Sequence, residues 1–256
     1  MPGEREAFER DLISFCDREL DLLGDIEGRF VLYAGGFSPL WLEGLSQRIG
    51  EMGALTALDA DAGHVEEGRE LLGEAELAAP VRLVTGDVFR PPFPPNTFDL
   101  VYSAGLFHEL DVSAEPAESA LAALASTARP GGRVATSDFT DVVPATQLAE
   151  EELQREMARE ASDAELYGIG PPERLVALHE ALLAKVRWRI LPPYTIQHLD
   201  KIVLAEEAPG KLRGSAARIK RKLRERRHAL RERIRREGYT RSATLYVEGV
   251  VGRGTG

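Results

Sequence analysis

A chain of 256 residues with 43% hydrophobic content can bury a full core, and it suits one large α/β domain with an elaboration. Its one cysteine, Cys16, excludes a disulfide framework, a CxxC redox pair and a cysteine-rich metal site. No apolar run reaches the about 18 residues a membrane span needs, and the opening MPGEREAFERDL is charged where a signal peptide is apolar, so a soluble, cytoplasmic protein is expected. The formal charge of −10 is unevenly spread: Lys211 to Arg241 holds 14 Lys or Arg against 3 Glu, a balance of +11 that leaves −21 elsewhere.

In chain order, Glu4 to Leu23 carries Phe8, Leu12, Phe15, Leu20 and Leu23 at near-helical spacing and stops at Gly24, which predicts an amphipathic helix. Arg29 to Tyr33 reads as a strand, Pro39 to Ile49 as a helix and Leu55 to Leu58 as a second strand. A helix over about His64 to Ala78, a strand Val81 to Thr85 and a Pro-rich loop at Pro91 to Pro95 come next. Strand Phe98 to Ser103 and a helix over about Glu115 to Ala128 lead to the turn Arg129-Pro130-Gly131-Gly132 and strand Arg133 to Ser137. Short, nearly all-apolar strands alternating with helices predict a doubly wound, mostly parallel sheet covered on both faces.

In such a sheet ligands bind at the carboxyl ends of the strands, near the point where strand order reverses. Gly35 and Gly36, Asp59, Gly86-Asp87, Ser103 to Glu109 and Asp138 all fall just after predicted strands. Asp59 follows Gly35 by 24 residues, the spacing at which a carboxylate after the second strand accepts hydrogen bonds from ribose hydroxyls. An adenosine-containing ligand is therefore expected.

The segments VRLVTGDVFRPPFPPNTFDLVYSAGLFHEL (Val81 to Leu110) and LAALASTARPGGRVATSDF (Leu121 to Phe139) closely resemble the small-molecule branch of class I methyltransferases, which use S-adenosyl-L-methionine. The resemblance spans roughly Phe30 to Phe139 and implies a seven-stranded Rossmann-like sheet. It implies that Asp59 accepts from the cofactor ribose, that Asp87 accepts from the adenine amine, and that the backbone near Gly35 approaches the methionine moiety. Tyr33, Ala34, Gly36, Ala60, Val88 and Ser103 complete the cofactor-binding set, and no metal is implied. The first turn departs from the family pattern: Tyr33 stands where an acid is usual, and Phe37 and Pro39 where two further glycines are usual. A second register aligns Gly35-Gly36-Phe37-Ser38 with the turn of certain ribosomal RNA methyltransferases.

His108 is the candidate catalytic residue. It follows the fourth strand, and an imidazole with a pKa near 6.5 suits proton removal at neutral pH; lining the pocket is the competing role. Asp59 and Asp87 have helix or loop capping as their competing roles. Cys16, on an amphipathic helix, reads as a packed thiol.

Beyond Phe139 the sequence predicts helices over Ala145 to Tyr167 and Pro171 to Lys185, a sixth strand Val186 to Leu191 and a seventh Ala243 to Val251. The expected organisation is an N-terminal helix (1–28), a cofactor-binding core (29–143), helices and sixth strand (144–191), an inserted basic helical element (192–242) and a last strand with its tail (243–256). The insertion should leave from the ligand edge and form a lid or substrate-recognition element. Leu212, Ala216, Ile219, Leu223, Leu230 and Ile234 give its helix, Lys211 to Glu237, one apolar stripe. Its charge admits a polyanion site, a clamp on an acidic substrate, or a solvated helix lying on the acidic remainder. Methyl transfer to a small-molecule acceptor is the function expected; an RNA- or polyanion-directed methyltransferase and a non-catalytic cofactor-binding or scaffold protein are the alternatives. Oligomeric state is open.

Overall fold

The computed structural model describes residues 2–35, 38–73, 75–142, 144–196, 217–237 and 239–252. Seven strands form one sheet: β1 (Phe30–Ala34), β2 (Ala54–Asp59), β3 (Val81–Thr85), β4 (Phe98–Ala104), β5 (Ala128–Phe139), β6 (Ala184–Leu191) and β9 (Thr244–Val250). Their order is β3-β2-β1-β4-β5-β9-β6, with β9 antiparallel to both neighbours and the other pairings parallel. The order reverses between β1 and β4, so the ligand edge expected from the sequence lies at the ends of those two strands.

Strands β1, β2, β4, β5 and β9 alternate their side chains between two apolar cores, which is why they read as largely apolar runs, whereas the edge strand β6 is mostly exposed. On one face Val31, Tyr33, Leu55, Leu100 and Tyr102 pack against α1 (Pro2–Leu20) and α2 (Pro39–Ile49) through Phe15, Leu20, Trp41, Leu42 and Leu45. On the other, Leu32, Leu58, Val101, Val134 and Val247 meet Leu121 and Leu124 of α4 (Ala117–Thr127) and Leu175, Val176 and Leu178 of α6 (Pro172–Leu182). A fully buried leucine such as Leu42 contributes about 1.5–3 kcal/mol by leaving water.

Several boundaries differ from the sequence expectation, each for a local reason. The first helix turns 3-10 over Asp21–Leu23 before Gly24, whose φ of +64° ends it. Helix α3 (Ala62–Leu72) stops before Gly73, and Ala79 is instead held by Ser46, whose hydroxyl accepts from the Ala79 amide (2.9 Å) and donates to its carbonyl (3.0 Å). The Arg129 to Gly132 turn is a bulge inside β5: Phe98 pairs with Ala128 and Leu100 already with Arg133. Helix α5 (Ala145–Ser162) ends at left-handed Asp163, and residues 165–168 bond back to residues 108–112, through Tyr167 N to Leu110 O (2.8 Å) and Gly168 N to His108 O (3.0 Å).

The insertion holds more than a helix. β7 (Tyr194–Ile196) pairs antiparallel with β8 (Tyr239–Arg241), and α7 (Ala217–Glu237) precedes β8. Leu223, Leu230 and Ile234 of α7 share a core with Leu153 and Met157 of α5, Phe8 and Phe15 of α1, and Ile196 and Tyr239 of the ribbon. Leu212 and Ala216 of the expected stripe lie outside the described residues.

Candidate active site

Backbone hydrogen bonds tie the first three strand ends together. The Gly35 amide donates to Leu58 O (2.9 Å), and the Gly86 amide donates to Asp59 O (2.8 Å). Gly35 has a φ of +87°, and a Cβ there would lie 2.6 Å from Leu106 Cδ1, so glycine is required both by conformation and by space. Asp59 is 7% exposed; its Oδ1 accepts from the Asp61 amide (2.8 Å) and its Oδ2 lies 3.7 Å from His64 Nδ1. The N-cap of α3 is Asp61, which accepts from the amides of Gly63 and His64. Capping is thus done without Asp59. Asp87 accepts from the Phe89 amide (2.9 Å), stands 3.7 Å from Arg90 and keeps its side chain 53% exposed.

The other expected cofactor residues present main chain at most. The Tyr33 ring turns into the α1/α2 core against Tyr102, at 5.8 Å between ring centres, and burial pushes its phenol up. Ala34 and Val88 are packed in the opposite core, and Ala60 is exposed beside Asp59. Ser103 donates to Thr136 Oγ1 (3.2 Å), which lies 3.2 Å from His179 Nε2; His179 Nδ1 is 2.9 Å from Leu175 O. This chain runs inward. Burial holds His179 down at about 4, so it stays neutral. Gly36 lies outside the described residues.

At the ends of β4 and β5 the structure makes a pair that the sequence left separate. His108, on a 3-10 turn over Phe107–Glu109, places Nδ1 2.7 Å from Asp138 Oδ1 while its amide donates to Asp138 Oδ2 (3.1 Å). On the other side, Nε2 is 3.7 Å from Glu109 and 4.0 Å from Glu151 of α5. Burial alone would push the imidazole down; Asp138, with Glu109 and Glu151, more than reverses this and holds it up at about 9. The imidazole expected near 6.5 is therefore an imidazolium at neutral pH. It can donate hydrogen bonds, and it can act as a base only after losing a tightly held proton.

A small, shallow cleft opens beside this pair, with Phe107, His108, Asp138, Phe139, Tyr167 and Arg174 in its wall. Arg174 stacks 3.7 Å over the Tyr167 ring and donates to Tyr167 O (2.9 Å), which fixes that wall. Glu19 of α1, buried near Thr244, Arg241 and Asp138, is a further acid at this edge, pushed up to about 7 chiefly by burial. Its signal was present in the sequence: it stands four residues after Phe15 on the apolar face of α1. Among the described residues, no His, Cys, Asp and Glu grouping suits a metal ion.

Much of the basic helix is answered locally. Lys222 and Arg226 pair with Glu156 of α5, Arg221 lies 3.7 Å from Glu225, Arg233 bonds Glu237 (2.8 Å), and Arg235 bonds Glu232 (2.5 Å).

Residues 31–132 match the methyltransferase domain family. Ubiquinone/menaquinone biosynthesis C-methyltransferases from Azotobacter vinelandii (33% identity; 47% of this chain, 46% of the relative) and Idiomarina loihiensis (33%; 53% and 55%) are similar, and the chain spans about half the length of these relatives. Among solved structures, an S-adenosylmethionine-dependent methyltransferase from Aquifex aeolicus superposes with a TM-score of 0.51 (24% identity; 69% of this chain, 82% of that one). A phosphoethanolamine N-methyltransferase from Haemonchus contortus gives 0.59 (13%; 93% and 52%); both likenesses bear on the fold. Sheet order and the tied glycine turns are those of the doubly wound methyltransferase fold, and residues 31–132 are similar to the methyltransferase domain family.

Proposed function

We propose that the chain transfers a methyl group from S-adenosylmethionine to a small-molecule acceptor. The cofactor would lie across the ends of β1, β2 and β3, with the acceptor towards the ends of β4 and β5. When bound, the cofactor supplies an electrophilic methyl on a sulfonium, an excellent leaving group. The protein's contribution is then binding, alignment and exclusion of water.

The observation that carries this reading is Asp59. It ends β2, next to the switch-point strand β1, beside two turns hydrogen-bonded to its own strand, while Asp61 does the capping. An ionised carboxylate is acceptor-only and complements the two donor hydroxyls of a ribose. Asp87, beside an obligatory glycine whose Cβ would lie 2.8 Å from Pro92 Cδ, is suited to the adenine amine. The backbone at Tyr33, Ala34 and Gly35 suits the methionine end, and the main chain at Ala60, Val88 and Ser103 follows along the strand ends. At the acceptor end, the His108 imidazolium orients and hydrogen-bonds the acceptor. The C-methyltransferase names of the curated relatives support a small-molecule acceptor. The ion pairs along α7 favour a helix seated on its own fold over an RNA site.

Asp59→Ala tests the assignment. A hydrogen bond to a charged group is worth about 1.5–3 kcal/mol, so calorimetry should show S-adenosylmethionine bound roughly 10- to 150-fold more weakly. Unchanged affinity would refute the role of Asp59. No binding by the parent chain at millimolar cofactor would refute the enzyme.

A further inference from the structure

Beside Asp59, the residue on which the cofactor reading rests, stands an exposed imidazole. His64 is the third residue of α3 and follows Asp59 by five positions. Its place is fixed through the backbone: Asp61 Oδ1 accepts from the amides of Gly63 (2.7 Å) and His64 (3.4 Å), which sets the first turn of the helix. The His64 side chain is 61% exposed, and its Nδ1 lies 3.7 Å from Asp59 Oδ2. The Asp59 carboxylate is held through its other oxygen, where Oδ1 accepts from the Asp61 amide (2.8 Å).

A gap of 3.7 Å is too long for a hydrogen bond between the two groups, but one oxygen can span it. Contacts of about 2.7 Å to the carboxylate and about 2.9 Å to the imidazole meet there at an angle of about 80°, and the exposed imidazole has room to turn and widen it. The chemistry of the pair selects a hydroxyl for that position. A carboxylate only accepts, whereas an imidazole nitrogen that faces a carboxylate keeps its proton and donates. A hydroxyl gives its one hydrogen to Asp59 and still has lone pairs for the Nδ1–H of His64. An ether oxygen has no hydrogen to give, and an ammonium group has no lone pair with which to accept.

We propose that His64 is a further cofactor-binding residue, which donates from Nδ1 to a ribose hydroxyl from which Asp59 accepts, so that the two side chains together distinguish a ribose from a deoxyribose. The inference rests on the methyltransferase reading and extends its ribose contact from one residue to two. Asp59 takes the hydrogen of the hydroxyl and His64 takes its lone pair, so both halves of the group are used and its orientation is fixed.

Calorimetry with S-adenosylhomocysteine and its 2′-deoxy and 3′-deoxy analogues tests this on the whole chain. Because the side chain is 61% exposed, His64→Ala should melt at the parent's temperature. It should bind S-adenosylhomocysteine about 2- to 12-fold more weakly, as expected for one lost hydrogen bond. Parent and variant should bind equally the analogue whose missing hydroxyl is the bridging one, since neither protein can then form the bond. His64→Gln retains a side-chain donor and should recover most of the lost affinity for S-adenosylhomocysteine. Equal weakening of all three ligands by His64→Ala would overturn the proposal, because the imidazole would then serve the shape of the turn rather than a hydroxyl. Unchanged affinity of His64→Ala for S-adenosylhomocysteine would overturn it too. In both cases binding by the parent chain leaves the methyltransferase reading standing; a parent chain that binds none of the three ligands refutes that reading and this inference with it.

Discussion

Replacing Glu19 by glutamine should stabilise the chain in mild alkali and do little in acid. Glu19 is 3% exposed on α1, and burial raises its pKa more than the Thr244 hydroxyl, Arg241 and Arg18 lower it, while Asp138 adds to the rise. The carboxyl is thereby pushed up to about 7 from an ordinary 4.5. With the folded value above the unfolded one, the protonated group's stabilising contribution is complete below pH 4.5 and is lost as pH rises through 7. At about 1.4 kcal/mol per pH unit of separation, the charged form costs about 3 kcal/mol by pH 8 and less than about 1 kcal/mol at pH 5. Glutamine has the same shape, can still bond Thr244 and carries no charge. Allowing for the lost attraction to Arg241, the variant should gain about 1–3 kcal/mol at pH 8. Urea unfolding followed by tryptophan fluorescence at pH 5 and pH 8 measures both values. If the two proteins have parallel stability curves, or the variant is weaker at pH 8, then Glu19 is ionised and satisfied by Arg241, and the reasoning from burial is wrong.

Gly35→Ala should cost about 1–3 kcal/mol of stability, because it puts a Cβ 2.6 Å from Leu106 Cδ1 at a φ of +87°; thermal melting checks it, and an unchanged midpoint would show that the turn relaxes freely. For His108, whose folded pKa of about 9 exceeds its ordinary 6.5, the stabilisation is complete below pH 6.5 and lost through pH 9. Asp138→Asn removes the leading charge that opposes burial, so the imidazole should titrate below 6.5 by NMR, and titration still above 8 would show that another group holds the proton. On α7, Leu230→Ala, at a site 6% exposed, should cost about 2–5 kcal/mol and open the helix to limited proteolysis. Glu156→Ala should cost no more than about 1 kcal/mol, because its partners Lys222 and Arg226 have side chains 63% and 38% exposed.

What could be read from the sequence follows from how local each signal is. Strands β1 to β4 are short, mostly apolar runs bounded by glycine, proline or acidic residues, and their expected and observed ends agree to within a residue or two; β5 starts five residues before the expected Arg133, because the glycine turn is a bulge inside the strand. The glycine turn at Gly35 and the acids after β2 and β3 were legible because strand ends fall on one edge of a parallel sheet. The ribbon of β7 and β8 was not. Each strand has three residues, they lie more than forty positions apart, and Tyr194 to Ile196 follows two prolines. The end of α5 was misplaced because residues 165–168 are claimed by hydrogen bonds to residues 108–112, a competition that helical propensity does not contain. Ser103 lies at the expected strand end, while the direction of its hydroxyl, towards Thr136 and His179, depends on packing between β4, β5 and α6 that the sequence spacing does not contain.

The two sides of the site differ in legibility for a physical reason. On the proposed function the cofactor constrains the turns after β1, β2 and β3, and these lie within residues 31–132, where the family match falls. Apart from His108 and Glu109, the groups that meet at the ends of β4 and β5 come from outside that segment: Glu19 from the first helix, Asp138 from the end of β5 and Glu151 from α5. Their proximity depends on how α1, α5 and the α7 insertion pack over the sheet edge through Phe15, Met157 and Leu230, which no local spacing announces. On the proposed function, altering that packing should therefore change acceptor choice while leaving Gly35, Asp59 and Asp87 in place.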